Sequence, residues 1–174
     1  MPIEAASIER PTLRIQRVFD APRALLWAAW TKPEMLVRWL GPVDWPAISA
    51  TCDLRVGGRW SATLRSGSGE QLRQHGIYLE IVPEERLVFT FKWEGDHEDG
   101  PPVDTQVTVA LSDSADGGTQ LDFTHAELKS PQSLAGHRQG WTSSFARLDA
   151  WLAGAATPNP RSQAASAAPS GHRR

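Results

Sequence analysis

The chain has 174 residues, 40% of them hydrophobic, with eight tryptophans and a formal net charge of −2. That is enough apolar material for one domain with a bulky aromatic core, and the near-neutral balance argues against nucleic-acid binding through phosphate contacts. The one cysteine, Cys52, excludes a disulfide framework and the multi-cysteine zinc motifs, and no stretch has signal-peptide or membrane-spanning character, so a cytoplasmic protein without membrane insertion is expected.

Residues 1–11 read as a flexible lead-in, and one domain is expected over residues 12–153. A first strand over Thr12–Phe19 ends at Asp20, a candidate N-cap for a short helix over Arg23–Trp30. Thr31-Lys32-Pro33 restarts a second short helix, Glu34–Leu40, which Gly41-Pro42 stops. From Pro46 the apolar period becomes two, the signature of half-buried strands. Ile48, Ala50, Cys52 and Leu54 alternate with polar residues, Gly57-Gly58 turns the chain, and Trp60, Ala62 and Leu64 share a face. Across Gln71–Val82 the apolar residues Ile77, Leu79 and Ile81 are assigned inward, which carries His75 inward too and makes Gly76 a candidate bulge. Arg86–Trp93 places Leu87, Phe89, Phe91 and Trp93 on one face, and Val103–Ser112 and Thr119–His125 complete seven strands. Glu94–Pro102 is an acidic loop without calcium-loop spacing.

The last periodic segment is a long helix over Pro131–Leu152, with Ser130 as N-cap and Pro131 at the first helical position. Leu134, Trp141, Phe145, Leu148 and Leu152 make one stripe, His137 sits on it, and Gln132, Gln139, Arg147 and Asp149 lie on the other side. A curved antiparallel sheet needs its apolar face covered, and only this helix can cover it. One helix leaves space within such a curve, so a cavity is expected between them. Residues 154–174 are Ala-, Pro- and Ser-rich and read as a disordered tail.

Three histidines fall on registers assigned to the cavity: His75, His125 and His137. They could orient a polar ligand group or move a proton; the plainer reading is that each is separately hydrogen-bonded within the fold. Metal ligation is disfavoured because the three come from separate elements without ligand spacing. Trp27, Trp30, Trp39, Trp60, Trp93 and Trp141 could line an aromatic pocket, with most of them plain core. Asp53, Arg55 and Arg59 could meet a ligand carboxylate, although the alternation puts them on the solvent face. There is no G-x-S-x-G elbow, H-E-x-x-H helix, P-loop or dinucleotide fingerprint. No catalytic residue, metal or cofactor is therefore assigned. The ligand-cavity candidates are Trp60, His75, Ile77, Phe89, Phe91, His125, His137, Trp141 and Phe145.

Several strings in order resemble a known group: RVFDAP at 17–22, the Trp27/Trp30 pair, PEMLVRWLGP at 33–42, CDLRVGGRW at 52–60, HGIYLEIVPEERLVFTFKW at 75–93, GTQLDFTHAEL at 118–128 and GHRQGW at 136–141. Together they resemble the START-like (SRPBCC) superfamily, in the branch named for the activator of heat-shock protein 90 ATPase. The resemblance implies an α+β helix-grip fold: a curved seven-stranded antiparallel sheet around a long C-terminal helix, with two short helices after the first strand. It also implies a hydrophobic cavity and supplies no universal catalytic set. The expected function is binding of a small hydrophobic or amphipathic molecule, with a homodimer left open. The alternatives are a cofactor-free cyclase-like enzyme using a cavity histidine, and a chaperone-interacting module. The eukaryotic co-chaperone of this branch makes much of its chaperone contact through an additional N-terminal domain, where this chain has eleven residues before its first strand.

Overall fold

The computed structural model describes residues 9–95 and 100–156. Its strands are β1 (Leu13–Phe19), β2 (Ala47–Cys52), β3 (Arg59–Arg65), β4 (Gln71–Val82), β5 (Arg86–Trp93), β6 (Thr105–Asp113) and β7 (Thr119–Ala126). The helices are α1 (Arg23–Thr31), α2 (Pro33–Leu36) and α3 (Pro131–Ala156). All seven strands form one antiparallel sheet in the order β1-β7-β6-β5-β4-β3-β2, so the meander from β2 to β7 is closed by the first strand pairing with the last. The two short helices carry the chain from one edge of the sheet to the other. Leu13, Val107, Val109, Leu121, Phe123, Leu148 and Leu152 are buried in the core between sheet and α3.

Local chemistry explains most element ends. Ser130 Oγ accepts the Ser133 N–H at 3.1 Å and so caps α3. Pro22, not Asp20, occupies the N-cap of α1, with no side-chain cap. The second helix is shorter than expected, a single turn over Pro33–Leu36 followed by turns to Leu40. Arg147 braces the turns that follow it: its guanidinium donates to the carbonyls of Arg38, Trp39, Leu40 and Gly41 at 2.8–3.3 Å. A residue assigned to the wet side of α3 thus satisfies the orphan acceptors of another segment. At the C-terminus α3 extends through Ala156, past the expected end at Leu152; the rest of the expected tail lies outside the described residues. At the N-terminus, Pro11 is tied to the domain through the Leu128 N–H, which donates to its carbonyl at 3.1 Å.

The register of β4 differs from expectation, and Trp60 is the reason. Trp60 and Gly76 are cross-strand partners on the inner face of β3 and β4. The Trp60 indole N–H donates to the Thr90 carbonyl at 2.9 Å, and the Ile77 N–H turns to Thr90 Oγ1 at 2.9 Å. A Cβ on Gly76 would sit 1.7 Å from the Thr90 oxygen and 2.6 Å from the indole nitrogen, so this position has no room for a side chain. With Gly76 inward, Gln74 and Tyr78 also point inward, at 3% and 2% exposure, while Ile77 and Leu79 face out at 40% and 45%. The register shift lies between Tyr78 and Glu80, not at Gly76, and returns Ile81 to the core side.

Candidate functional site

Between the inner face of β3–β5 and the first half of α3 lies a cleft of about 680 Å³. Leu64, Leu72, Gln74, Phe91 and Trp93 form its floor, because they share the inward register of three adjacent strands. The helix supplies the roof through Ser133, Gly136, His137, Gly140, Trp141 and Ser144, a set at three- and four-residue spacing and hence on one face. One rim is the Gly41–Trp45 loop, held to α3 by the Val43 N–H donating to Ser143 Oγ at 3.2 Å. Gly41 adopts φ +89°, and a Cβ there would lie 2.2 Å from the Trp45 carbonyl, so the loop needs glycine at this corner. Pro102, Val103 and Lys129 make the opposite rim, where Lys129 Nζ donates to the Pro101 carbonyl at 2.7 Å.

The cleft occupies one end of the sheet–helix space because aromatic rings fill the other. Trp30 lies 4.7–6.3 Å, centre to centre, from Trp39, Phe89, Phe123, Trp141 and Phe145. Trp60 and Phe89 border a separate space of only about 20 Å³, water-sized at most. Trp141 divides the two regions, bordering both.

The histidines are held in defined tautomers. Trp141 Nε1–H donates to His125 Nδ1 at 3.1 Å, which leaves the ring proton on Nε2, 2.7 Å from Thr105 Oγ1. The Thr105 hydroxyl in turn donates to the Phe91 carbonyl at 2.7 Å. His125 is fully buried, and desolvation, with a smaller contribution from His137, lowers its pKa to about 3. The imidazole is therefore neutral, a condition its bond from the Trp141 indole also requires. On α3, Trp93 Nε1–H donates to His137 Nε2 at 3.1 Å, so the other ring proton sits on Nδ1 and is given to the Ser133 carbonyl at 2.8 Å. The two imidazoles meet edge to face at 4.9 Å, with Phe91 4.9 Å from one and 5.9 Å from the other.

Of the nine candidates from the sequence, Phe91, His137 and Trp141 border the cleft. His125 stands behind Thr105 and Trp141 and does not reach it. Trp60 and Phe89 belong to the filled aromatic region, and Phe145 is wholly buried there. His75 and Ile77 are on the outer face of the sheet, a correction that follows from the inward placement of Gly76. With His75 outside, the three histidines do not converge, and no group of three His, Cys, Asp or Glu among the described residues has metal-binding geometry. Asp53 and Arg55 pair with each other at 2.9 Å in solvent. Cys52 is half-buried beside Tyr78, its thiol pKa raised by burial.

A family model described as "Activator of Hsp90 ATPase homolog 1-like protein" matches residues 20–153. The chain belongs to this family. Solved structures of similar proteins agree with the Activator of Hsp90 ATPase homolog 1-like assignment and with the START-like helix-grip fold. A protein of Chromobacterium violaceum is 28% identical, with 81% of this chain and 96% of that chain covered and a TM-score of 0.70. An Arthrobacter aurescens protein is 27% identical over 84% and 88% of the two chains, with a TM-score of 0.72. The AHSA1 protein of Silicibacter pomeroyi is 25% identical over 82% and 98%, with a TM-score of 0.71. No curated protein matches the chain.

Within this Activator of Hsp90 ATPase homolog 1-like domain, sequence reasoning missed Leu72, Gln74, Gly136, Gly140 and Ser144 as cleft residues. Two signals were available. The Gly136/Gly140 pair, four apart in a helix, opens one face, and the pairing of Trp60 with Gly76 fixes which residues of β4 face inward.

Proposed function

We propose that the protein binds a small, largely apolar molecule noncovalently in the cleft between the sheet and α3. The observation that carries this reading is the cleft itself: about 680 Å³, bordered by Leu64, Leu72, Phe91, Trp93 and Trp141, in a domain whose remaining core is densely filled with aromatic rings. Clefts of this size and lining are typical of small-molecule sites. Burying the apolar surface of a ligand there is worth roughly 25 cal/mol per Å² removed from water. The histidines favour binding over proton transfer. His125 spends both ring nitrogens on Trp141 and Thr105, and His137 spends both on Trp93 and Ser133.

A protein-contact role is the second reading, supported by the exposed apolar side chains Leu54, Val56, Ile77 and Leu79 near one another in the β2–β3 turn and on outer β4. Native mass spectrometry of the purified protein, with N-phenyl-naphthylamine as fluorescent probe, tests the first reading. One saturable site, its signal coupled to quenching of the tryptophans, is expected. Absence of both a co-purified mass and saturable probe binding would overturn it in favour of the contact role.

A further inference from the structure

Two features of the cleft have no role in holding the fold together. The first is Gln74. It lies on the inner face of β4 between Ala62 of β3 and Trp93 of β5, is 3% exposed, and borders the cleft. Its carboxamide makes no hydrogen bond among the described residues and is not sealed in the core, so its polar atoms open to the cleft. The second is the glycine pair on the roof. Glycine inside a helix is unfavourable relative to alanine. Nothing lies within 4 Å of a Cβ built on Gly136 or Gly140, so packing does not require glycine at either position. What the two glycines do is keep space open opposite the aromatic floor of Phe91 and Trp93.

The charges on the cleft are of opposite sign, with Glu70 and Lys129 at its borders, and both ring nitrogens of His137 are engaged by Trp93 and Ser133. An ion gains nothing from this lining. A carboxamide presents one donor edge and one acceptor edge, so its full complement is another cis-amide. Resting on the small-molecule reading above, we infer that the ligand is a planar, uncharged aromatic molecule bearing a lactam or primary amide. Its ring occupies the slot beneath Gly136 and Gly140, and its amide pairs with Gln74. Gln74 and the two glycines are then specificity-determining residues.

The test uses the full chain and three probes: quinolinone, which carries a cis-lactam; N-methylquinolinone, which cannot donate; and N-phenyl-naphthylamine. Quinolinone should bind about tenfold more tightly than its N-methyl derivative, the worth of one lost neutral hydrogen bond. Gln74→Leu should erase that difference without lowering the melting temperature, because no hydrogen bond within the fold is lost. Gly140→Ala should raise the melting temperature and weaken quinolinone, and Gly140→Leu should abolish its binding. If N-phenyl-naphthylamine binds while the two quinolinones bind equally or not at all, the lactam assignment is wrong and the cleft reading stands. Undiminished quinolinone binding by Gly140→Leu, or a lower melting temperature for Gly140→Ala, would overturn the role of the glycine slot. Failure of all three probes would remove the cleft reading, and this inference with it.

Discussion

His125 shows how a single side chain can look functional in sequence and be structural in the fold. Its neutral form is required by the Trp141 bond and enforced by burial, so its pKa falls to about 3 from an unfolded value near 6.5. The unfolded chain then binds the proton first. The stability due to this group is complete above pH 6.5 and is lost as pH drops toward 3, at up to about 1.4 kcal/mol per pH unit. Thermal melts from pH 7 to pH 4 should show a steep acid loss in the wild type and a shallower one in His125→Gln, which should also be about 1–3 kcal/mol less stable at neutral pH. Identical acid slopes would mean that His125 is not held neutral. Gly76 makes a second prediction at this scale. Gly76→Ala puts a methyl group into the Thr90 carbonyl and should cost roughly 3 kcal/mol or more in chemical denaturation, far above a typical surface change. The placement of His75 was hard to read because Ile77, Leu79 and Ile81 suggest one inward register while Leu72 and Tyr78 support the opposite one, and the shift between Tyr78 and Glu80 separates Ile81 from the other two. The steric demand of the Trp60 ring decides between them.

Among the elements, α3 was legible nearly whole. Leu134, Trp141, Phe145, Leu148 and Leu152 all pack into or against the core, as their spacing required. Trp141 ties the helix to the sheet through its tilted contact with Phe123 and through His125. Trp141→Ala should therefore destabilise the domain by about 3–5 kcal/mol in urea denaturation; near-neutral stability would make it a cleft wall and nothing more. The second short helix was less legible. Its sequence is helix-permissive through Leu40, but the Arg38 and Trp39 N–H groups bond three residues back, to Met35 and Leu36, and Arg147, over a hundred residues away, holds the carbonyls beyond. No local pattern carries that information. Arg147→Met keeps the aliphatic stem and removes the donors, and should cost about 1–3 kcal/mol, with the loss read by thermal melting.

At the scale of the molecule, the strand count, the antiparallel meander and the covering helix follow from alternating runs separated by tight turns. Pairing of β1 with β7 is a long-range closure that periodicity cannot specify; order and spacing of the family strings imply it instead. The cavity was legible as a consequence of curvature, but its position was not, because that depends on which end the Trp30-centred rings fill. The account stands or falls on the remaining end. Amide chemical-shift mapping of the isotopically labelled protein during titration with N-phenyl-naphthylamine tests it most directly. The account predicts shifts concentrated on Leu72, Gln74, Trp93, Gly136, His137 and Gly140, with the Trp93 indole resonance among the largest. Shifts confined to Leu54, Val56, Ile77 and Leu79 on the outer face, with the cleft residues unmoved, would contradict it.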